Sequence, residues 1–192
     1  MRLNLFDKPT EMDKSLLEQV VRPGDIVVDA TCGNGHDTVF LAEQVGTKGQ
    51  VYAFDIQAAA LAATKQRLAE KGYINRVQLI QDSHTTMNRY ITAPVKAVMF
   101  NLGYLPGSDK LVVTKPKTTR EAIDQGLDLL MSSGIMTLVL YQGHETGWEE
   151  ARHVEQHLAQ LCQTHYNVRK IYPLNYLNAP PYLIAIKKIS RK

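Results

Sequence analysis

Apolar runs rich in β-branched residues alternate with helical patterns from one end of the chain to the other. Strands are predicted over residues 26–30, 51–55, 77–81, 95–101, 134–141, 167–172 and 182–188. Strands that alternate with helices indicate an α/β protein whose sheet is mostly parallel and carries helices on both faces. The last two of the seven strands have no helix between them, so we expect them to be antiparallel neighbours.

Three short stretches carry the threonine and the acidic residue of a helix capping box. They are Thr10–Asp13, Thr118–Glu121 and Thr146–Glu149. Each predicts the first turn of a helix, and the third helix should run to about Gln163. An Ala-rich helix is predicted over about residues 57–71.

Composition narrows the class of protein. A chain of 192 residues is long enough for a full core, and we expect a single domain over residues 1–192. Hydrophobic residues make up 44% and charged residues 21%, which argues against disorder. The net charge of +3 permits RNA binding without demanding it.

Cysteine and histidine spacing bears on compartment and metal binding. Cys32 and Cys162 lie far apart, as expected for two thiols in a reducing compartment. His153 and His157 are four residues apart but lack the metalloprotease glutamate, so we expect no metal site. There is no apolar run of signal-peptide length at the start and none near the roughly 20 residues of a membrane helix. We therefore expect a cytoplasmic protein.

The first strand runs into a turn that contains Gly33 and Gly35. Such a turn lets backbone approach a ligand, and the helix after it presents unpaired N–H groups. Asp55 closes the second strand, 20 residues after Gly35, where an acidic residue usually takes both ribose hydroxyls of an adenine cofactor. The glycine turn alone would indicate only a tight connection, but together with Asp55 it predicts a nucleoside cofactor.

The residues after Gly35 discriminate between cofactors. A dinucleotide site usually has a third glycine, whereas this helix starts with His36 and Asp37. A carboxylate would repel a pyrophosphate but suits the cationic sulfonium and ammonium groups of S-adenosylmethionine. The sequence therefore favours the methyl donor over NAD.

The ordered set of Asp29, Gly33, Gly35, Asp55, Asp82 and Asn101 resembles the motifs of class I S-adenosylmethionine-dependent methyltransferases, which have a Rossmann-like fold. The longer strings at 29–38, 82–84 and 100–107 resemble small bacterial proteins labelled “putative rRNA methylase”. Members of that group methylate the 5-aminomethyl group of the wobble uridine in tRNA, or of its 2-thio form. The resemblance covers nearly the whole chain and implies S-adenosylmethionine as cofactor and the tRNA anticodon stem-loop as partner. Thr31 departs from the broad class, where glycine is common.

By this resemblance, Asn34, Gly35 and Asp37 would line the methionine end of the cofactor, Asp55 the ribose and Asp82 the adenine. The expected cofactor-binding residues are Asp29, Thr31, Gly33, Asn34, Gly35, Asp37, Asp55, Gln57, Asp82, Ser83, His84 and Asn101. Asp82 and Ser83 also sit where a helix cap is expected, and His84 by itself is typical of a packed or capping histidine.

Asn101 is the residue most informative about the reaction. Amino-group methyltransferases often carry Asn or Asp, two prolines and an aromatic residue here, and Asn101–Tyr104 keeps the ends of that pattern without the prolines. The amide oxygen would accept the protons of a substrate amine and orient its lone pair. The alternative is an ordinary turn residue. The expected catalytic residues are Asn101, Tyr104 and His144.

Substrate contacts are expected at the same edge. Tyr141 would stack on a base, with ordinary loop packing as the alternative. A basic strip from Lys110 to Arg120 would contact RNA phosphates through Lys115, Lys117, Thr118 and Arg120, with Arg169 and Lys170 extending it. The alternative for such a run is a solvated face. Residues 178–182 resemble the amino-methylase motif superficially, but their simplest interpretation is a rigid turn before the last strand. If the sixth strand is parallel, this turn lies at the catalytic edge.

The sequence thus predicts an N-methyltransferase of the tRNA wobble uridine. The alternatives are a methyltransferase of rRNA or of a small molecule, an NAD-dependent oxidoreductase and a non-catalytic RNA-binding module. A homodimer would widen the tRNA surface of so small a chain.

Overall fold

A computed structural model describes residues 3–102, 116–143 and 145–190 and has a seven-stranded sheet at its centre. The strands are β1 (Ile26–Asp29), β2 (Gln50–Asp55), β3 (Val77–Gln81), β4 (Val95–Leu102), β5 (Leu130–Leu140), β6 (Tyr166–Ile171) and β7 (Tyr182–Lys188). They are ordered β3-β2-β1-β4-β5-β7-β6. The predicted α/β fold with a mostly parallel sheet is confirmed.

Helices cover both faces of the sheet and form two cores. The helices are α1 (Pro9–Val20), α2 (His36–Val45), α3 (Ala58–Glu70), α4 (Met87–Tyr90), α5 (Pro116–Leu129) and α6 (Glu145–Leu158). Neighbouring strand residues enter opposite cores, as Val27 packs with α1 and α2 while Val28 packs with α5 and α6. This alternation follows from the two-residue period of a strand.

Strand direction places the loops that surround the site. β1 to β5 pair in parallel, and β7 is antiparallel to both β5 and β6. The last two strands are therefore antiparallel neighbours, as predicted. It follows that β6 points the same way as β1 to β5. Residues 172–181 consequently leave from the carboxyl edge of the sheet, where the first five strands also end.

The three predicted helix caps are wrong. α1 begins at Pro9, after Lys8, which makes no side-chain cap. α5 begins at Pro116, so the capping threonine predicted at Thr118 lies inside it, and Thr146 lies inside α6. Proline in the first turn needs no N–H partner and is pre-set for helical geometry, which accounts for the earlier starts of α1 and α5.

Two other element ends differ from prediction. α6 ends at Leu158 rather than about Gln163, because the amides of Gln160 and Leu161 bond three residues back, the second from Leu161 N to Leu158 O at 3.2 Å. β5 begins at Leu130, before the predicted Gly134, and passes through an irregularity at which Ser133 has a φ of 63°. Among the helices of the described ranges, none is both long and apolar enough to cross a membrane.

Candidate active site

Asp29 organises the glycine turn from below. Its Oδ2 accepts a hydrogen bond from the Thr38 hydroxyl at 2.6 Å, and its Oδ1 accepts from the Thr31 N–H at 3.2 Å. The side chain is buried, with a residue exposure of 1%, and burial together with the Asp37 charge raises its pKa to about 7. Asp29 was expected among the cofactor-binding residues, and in this structure its carboxylate supports the loop through these two bonds.

The two glycines of the turn adopt positive φ, 49° at Gly33 and 81° at Gly35. A Cβ on Gly35 would lie 2.6 Å from Thr64 Oγ1, so the turn is packed directly against α3. α3 also holds the turn by hydrogen bonds, from Thr64 Oγ1 to Gly33 O at 2.8 Å and from Arg67 Nε to Asn34 O at 3.0 Å. The sequence predicts the turn, whereas its clamping by α3 appears only in the structure.

Asp55 connects the glycine turn to the end of β2. Its Oδ2 accepts from the Gly33 N–H and its Oδ1 from the Gln57 N–H, each at 2.9 Å. These two bonds orient the carboxylate and leave its remaining lone pairs for a ligand. Ile56, directly after it, is 58% exposed and adds an apolar surface that the sequence analysis missed. An apolar residue after the strand-closing acid was the available signal.

Asp82 follows β3 at the same edge. Its Oδ1 accepts from the Ser83 N–H at 2.7 Å and its Oδ2 from the Tyr90 hydroxyl at 2.9 Å, and these hydrogen bonds lower the pKa of Asp82. Ser83 Oγ accepts from the Thr85 N–H at 3.2 Å and so caps a short 3-10 helix, His84–Thr86, that leads into α4. Asp82 and Ser83 therefore have a structural role whatever they bind.

His84 has the surroundings of a packed histidine. Its Nδ1 lies 3.3 Å from the Ala30 carbonyl oxygen, and its ring meets Phe100 edge-on, with centroids 6.0 Å apart. Burial lowers its pKa. His84 thus lies under the loop after β1, between the first and third strand ends.

Asn101 forms hydrogen bonds with three other residues of the site. Its backbone N–H donates to Thr31 Oγ1 at 2.8 Å, and its side-chain Nδ2 donates to Asp37 Oδ2 at 3.1 Å. It also shares a side-chain hydrogen bond with Tyr141, whose pKa is raised mainly by burial. Because a carboxylate can only accept, the amide N–H₂ must face Asp37, and the amide oxygen remains as an acceptor.

α1 adds two residues that the sequence analysis did not assign to the site. Lys14 Nζ lies 3.1 Å from Asp37 Oδ1. Asp13 is fully buried near Thr137, and neither of its carboxylate oxygens has a hydrogen-bond partner of good geometry among the described residues. Burial raises its pKa to about 8. No local signal marked these residues, because both depend on how α1 packs beside α2 and β5.

Some of the predicted catalytic and substrate-binding residues lie outside the described part of the chain. Tyr104, Lys110, Lys115 and His144 lie outside the described residues. Lys117 and Arg120 are exposed on the first turns of α5, with Thr118 half-buried between them. Lys170 is engaged by Glu155, with 2.7 Å between Nζ and Oε1, so it is not an open extension of the strip.

An exposed aromatic residue near this edge escaped the sequence analysis. Trp148, in the first turn of α6, is 50% exposed. The guanidinium carbon of Arg152 lies 5.5 Å from the centroid of its ring. Its sequence context suggested only a helix cap.

The sequence and the fold of this chain match those of known proteins. The family model described as “Putative rRNA methylase” matches residues 51–187. The chain belongs to this family. It is 37% identical over 191 residues to an Arabidopsis thaliana protein named “tRNA (mnm(5)s(2)U34)-methyltransferase, chloroplastic”, covering 94% of this chain and 70% of the plant protein.

Solved structures of similar proteins agree with this family assignment. A Clostridium thermocellum structure described as a putative rRNA-methylase has a TM-score of 0.95 and 44% identity, covering 96% of this chain and 99% of its own. A Streptococcus mutans protein described as a putative methyltransferase in complex with SAH has a TM-score of 0.88 and 40% identity, with the same coverage. This chain thus has the class I methyltransferase fold. The alternative of an NAD-dependent oxidoreductase is set aside.

Proposed function

We propose that this protein is an S-adenosylmethionine-dependent N-methyltransferase of tRNA. Its substrate is the 5-aminomethyl group of the wobble uridine, U34, and its product is 5-methylaminomethyl-(2-thio)uridine. The name of the plant relative and the family match support this proposal. The observation that carries it is the fixed amide of Asn101, bonded to Asp37 at the end of β4.

The polar groups along the carboxyl edge fit S-adenosylmethionine in kind and in order. Asp55 takes the ribose hydroxyls, with exposed Ile56 offering an apolar surface to the base. Asp82 accepts from the adenine amino group, and Asp37 faces the methionine end together with the glycine turn. When bound, the cofactor supplies an electrophilic methyl group on a sulfonium.

Asn101 gives the site its selectivity for an amine. Its N–H₂ group is committed to Asp37, so its oxygen accepts a hydrogen bond from the substrate N–H. That bond turns the nitrogen lone pair away from the asparagine and toward the methyl donor. Holding reactants in line in this way supplies much of the rate gain in a two-substrate reaction.

The substrate amine must lose a proton before it can attack, because an alkyl ammonium has no lone pair. Asp37 and the hydroxyl of Tyr141 lie beside Asn101, and the proton passes from the amine to the His144 imidazole. We assign Tyr104 and His144 to the same step on their position after β4 and β5. The site then combines the Asn101 oxygen as a hydrogen-bond acceptor for the amine, the nearby Asp37 carboxylate and a pocket for the nucleoside.

The anticodon loop suits this site because a wobble base can be splayed out without breaking a helix. Tyr141 stacks on that base. Lys117 and Arg120, with Thr118 between them, contact the flanking phosphates from the start of α5, and we assign Lys115 to the same role on its place in the sequence. Trp148 and Arg152 extend this surface with an exposed ring beside a cation.

The deciding experiment is nucleoside mass spectrometry on tRNA from a strain that lacks this gene. Incubation with purified protein and S-adenosylmethionine should convert 5-aminomethyl-uridine at the wobble position into its methylated form.

The Asn101→Ala variant should lower kcat by at least about a hundredfold while S-adenosylmethionine affinity changes by less than tenfold, because the amide acts on the amine.

Two results would contradict this proposal. Methyl transfer to rRNA but not to such tRNA would leave the methyltransferase class standing and refute the substrate. Near-normal turnover by Asn101→Ala on the true substrate would reduce Asn101 to a turn residue. Asn167→Ala, an exposed asparagine on β6, is the matched control and should be silent.

A further inference from the structure

Lys14 and Asp37 form a charged pair at the carboxyl edge of the sheet. Lys14 Nζ and Asp37 Oδ1 are 3.1 Å apart, and their side chains are 23% and 14% exposed. Lys14 comes from α1 and Asp37 from the first turn of α2, directly after the glycine turn. The pair thus lies where the proposed methionine end of the cofactor would be, and both charges are partly open to solvent.

The surroundings keep this pair from being a routine surface salt bridge. Asp37 is held on its other oxygen by Asn101 Nδ2, and Lys14 Nζ lies 5.9 Å from the Phe40 ring centroid. Asp13 and Asp29, both buried, lie close enough for Asp37 to raise the pKa of each. The raised values, about 8 and about 7, mean that these two carboxyls are largely or partly protonated near neutral pH. Lys14 and Asp37 are the ion pair of this cluster whose two side chains are both partly exposed.

An α-amino acid end carries an ammonium and a carboxylate on one carbon atom. A cation and an anion 3.1 Å apart complement such a group when the two dipoles lie antiparallel. Partial burial strengthens the attraction over that in water. Asp37 complements the ammonium, and Lys14 places a cation directly beside it for the carboxylate.

We propose that Lys14 is a cofactor-binding residue, whose ammonium pairs with the α-carboxylate of S-adenosylmethionine while Asp37 takes the α-ammonium. This inference rests on the proposed cofactor but not on the proposed RNA substrate. It assigns to α1 a direct part in the site and makes Lys14 and Asp37 a clamp for the amino-acid end.

Calorimetry can isolate the carboxylate contact by comparing S-adenosylhomocysteine with its decarboxylated form, which keeps the amine. Wild type should bind the carboxylated ligand at least tenfold more tightly. Lys14→Gln should weaken S-adenosylhomocysteine at least tenfold, about 1.4 kcal/mol, and change the decarboxylated ligand by less than twofold. Lys14→Arg should restore most of the affinity. Lys48→Gln, an exposed lysine at the opposite edge, is the charge-matched control and should behave as wild type.

Three outcomes would overturn the proposal. Unchanged binding of S-adenosylhomocysteine by Lys14→Gln would place the carboxylate elsewhere, for example on the amides that begin α2. Equal weakening of both ligands would reduce Lys14 to a support for Asp37. Equal affinity of wild type for the two ligands would refute the contact even if Lys14→Gln failed to fold. A wild type that binds neither ligand would instead refute the proposed cofactor. An enzyme that is inactive toward tRNA but still shows the predicted binding pattern would refute only the RNA substrate.

Discussion

At the scale of single residues, Asp13 and Asp29 are the buried carboxyls whose ionisation the fold opposes. Asp13 has no well-formed hydrogen bond among the described side chains, while Asp29 has two. Desolvation is the largest influence on both and raises the pKa of Asp13 to about 8 and that of Asp29 to about 7. Both residues make stability depend on pH.

Asp13→Asn should stabilise the protein at pH 8 and have little effect near pH 4. In the unfolded chain Asp13 ionises near 3.8, and in the folded protein near 8. Between these values the unfolded chain has released a proton that the folded state keeps, so Asp13 makes stability fall as pH rises. Removing this penalty should raise the free energy of unfolding at pH 8 by at least about 1.4 kcal/mol, the equivalent of one pKa unit.

Urea unfolding of both proteins at pH 4 and pH 8 measures this effect. Asp128→Asn, an exposed aspartate on α5, is the control for the change in net charge. A constant difference between Asp13→Asn and wild type across this range would show that Asp13 does not titrate as stated.

Gly35→Ala should destabilise the protein more than Gly72→Ala. Both glycines have positive φ, 81° and 71°, which costs an alanine about 1–2 kcal/mol. Only Gly35 would also bring its Cβ to 2.6 Å from Thr64 Oγ1, whereas Gly72 has nothing within 4 Å. Denaturant unfolding should show the larger loss for Gly35→Ala, and equal losses would mean that Thr64 moves aside at little cost.

At the scale of elements, the contact between α5 and α6 includes a buried polar bond. Thr119 Oγ1 donates to Glu150 Oε1 at 2.5 Å, and both residues are buried. Thr119→Val keeps the shape and removes the donor, so it should lower the free energy of unfolding by about 1–3 kcal/mol, the usual cost of removing one partner of a buried hydrogen bond. Thr119→Ser keeps the hydroxyl and serves as the control. Thr119→Ser loses only the methyl group, so a loss in Thr119→Val no larger than that in Thr119→Ser would show that the hydrogen bond contributes no more than the packing of that methyl.

At the scale of the whole molecule, the net charge of +3 is too small to bind RNA without a local concentration of positive charge. The proposed interface puts Lys117 and Arg120 at the carboxyl edge. The double variant Lys117→Gln, Arg120→Gln should weaken tRNA binding and reduce the slope of log K against log salt concentration by about 1–2.

Filter binding or anisotropy across a salt series gives that slope. The double variant Lys48→Gln, Lys71→Gln is the matched control, since both lysines are exposed and lie toward the amino edge. A slope that falls equally in both double variants would indicate a general charge effect rather than an interface at α5.

Much of the fold and of the candidate site is predictable because its signals are local. The apolar runs set the seven strands, and turn residues such as Gly33 and Gly35 directly follow one of them. Parallel strands all end at one edge, so Asp55, Asp82 and Asn101 were expected together, and the structure places all three there. The caps predicted for α1 and α5 failed because proline in the first turn competes with threonine for the start of a helix.

The sequence by itself determined the alternation of elements, the antiparallel last pair and the strand ends that carry polar residues, because each depends on neighbouring residues or on one sheet edge. Only the tertiary structure decided that Lys14 meets Asp37, that Asp13 is buried beneath them and that the Asn101 amide is turned by a carboxylate. These contacts join α1, α2 and β4, which are far apart in the chain. A side chain's charge state and orientation depend on the partners that packing brings to it, and no local pattern encodes those partners.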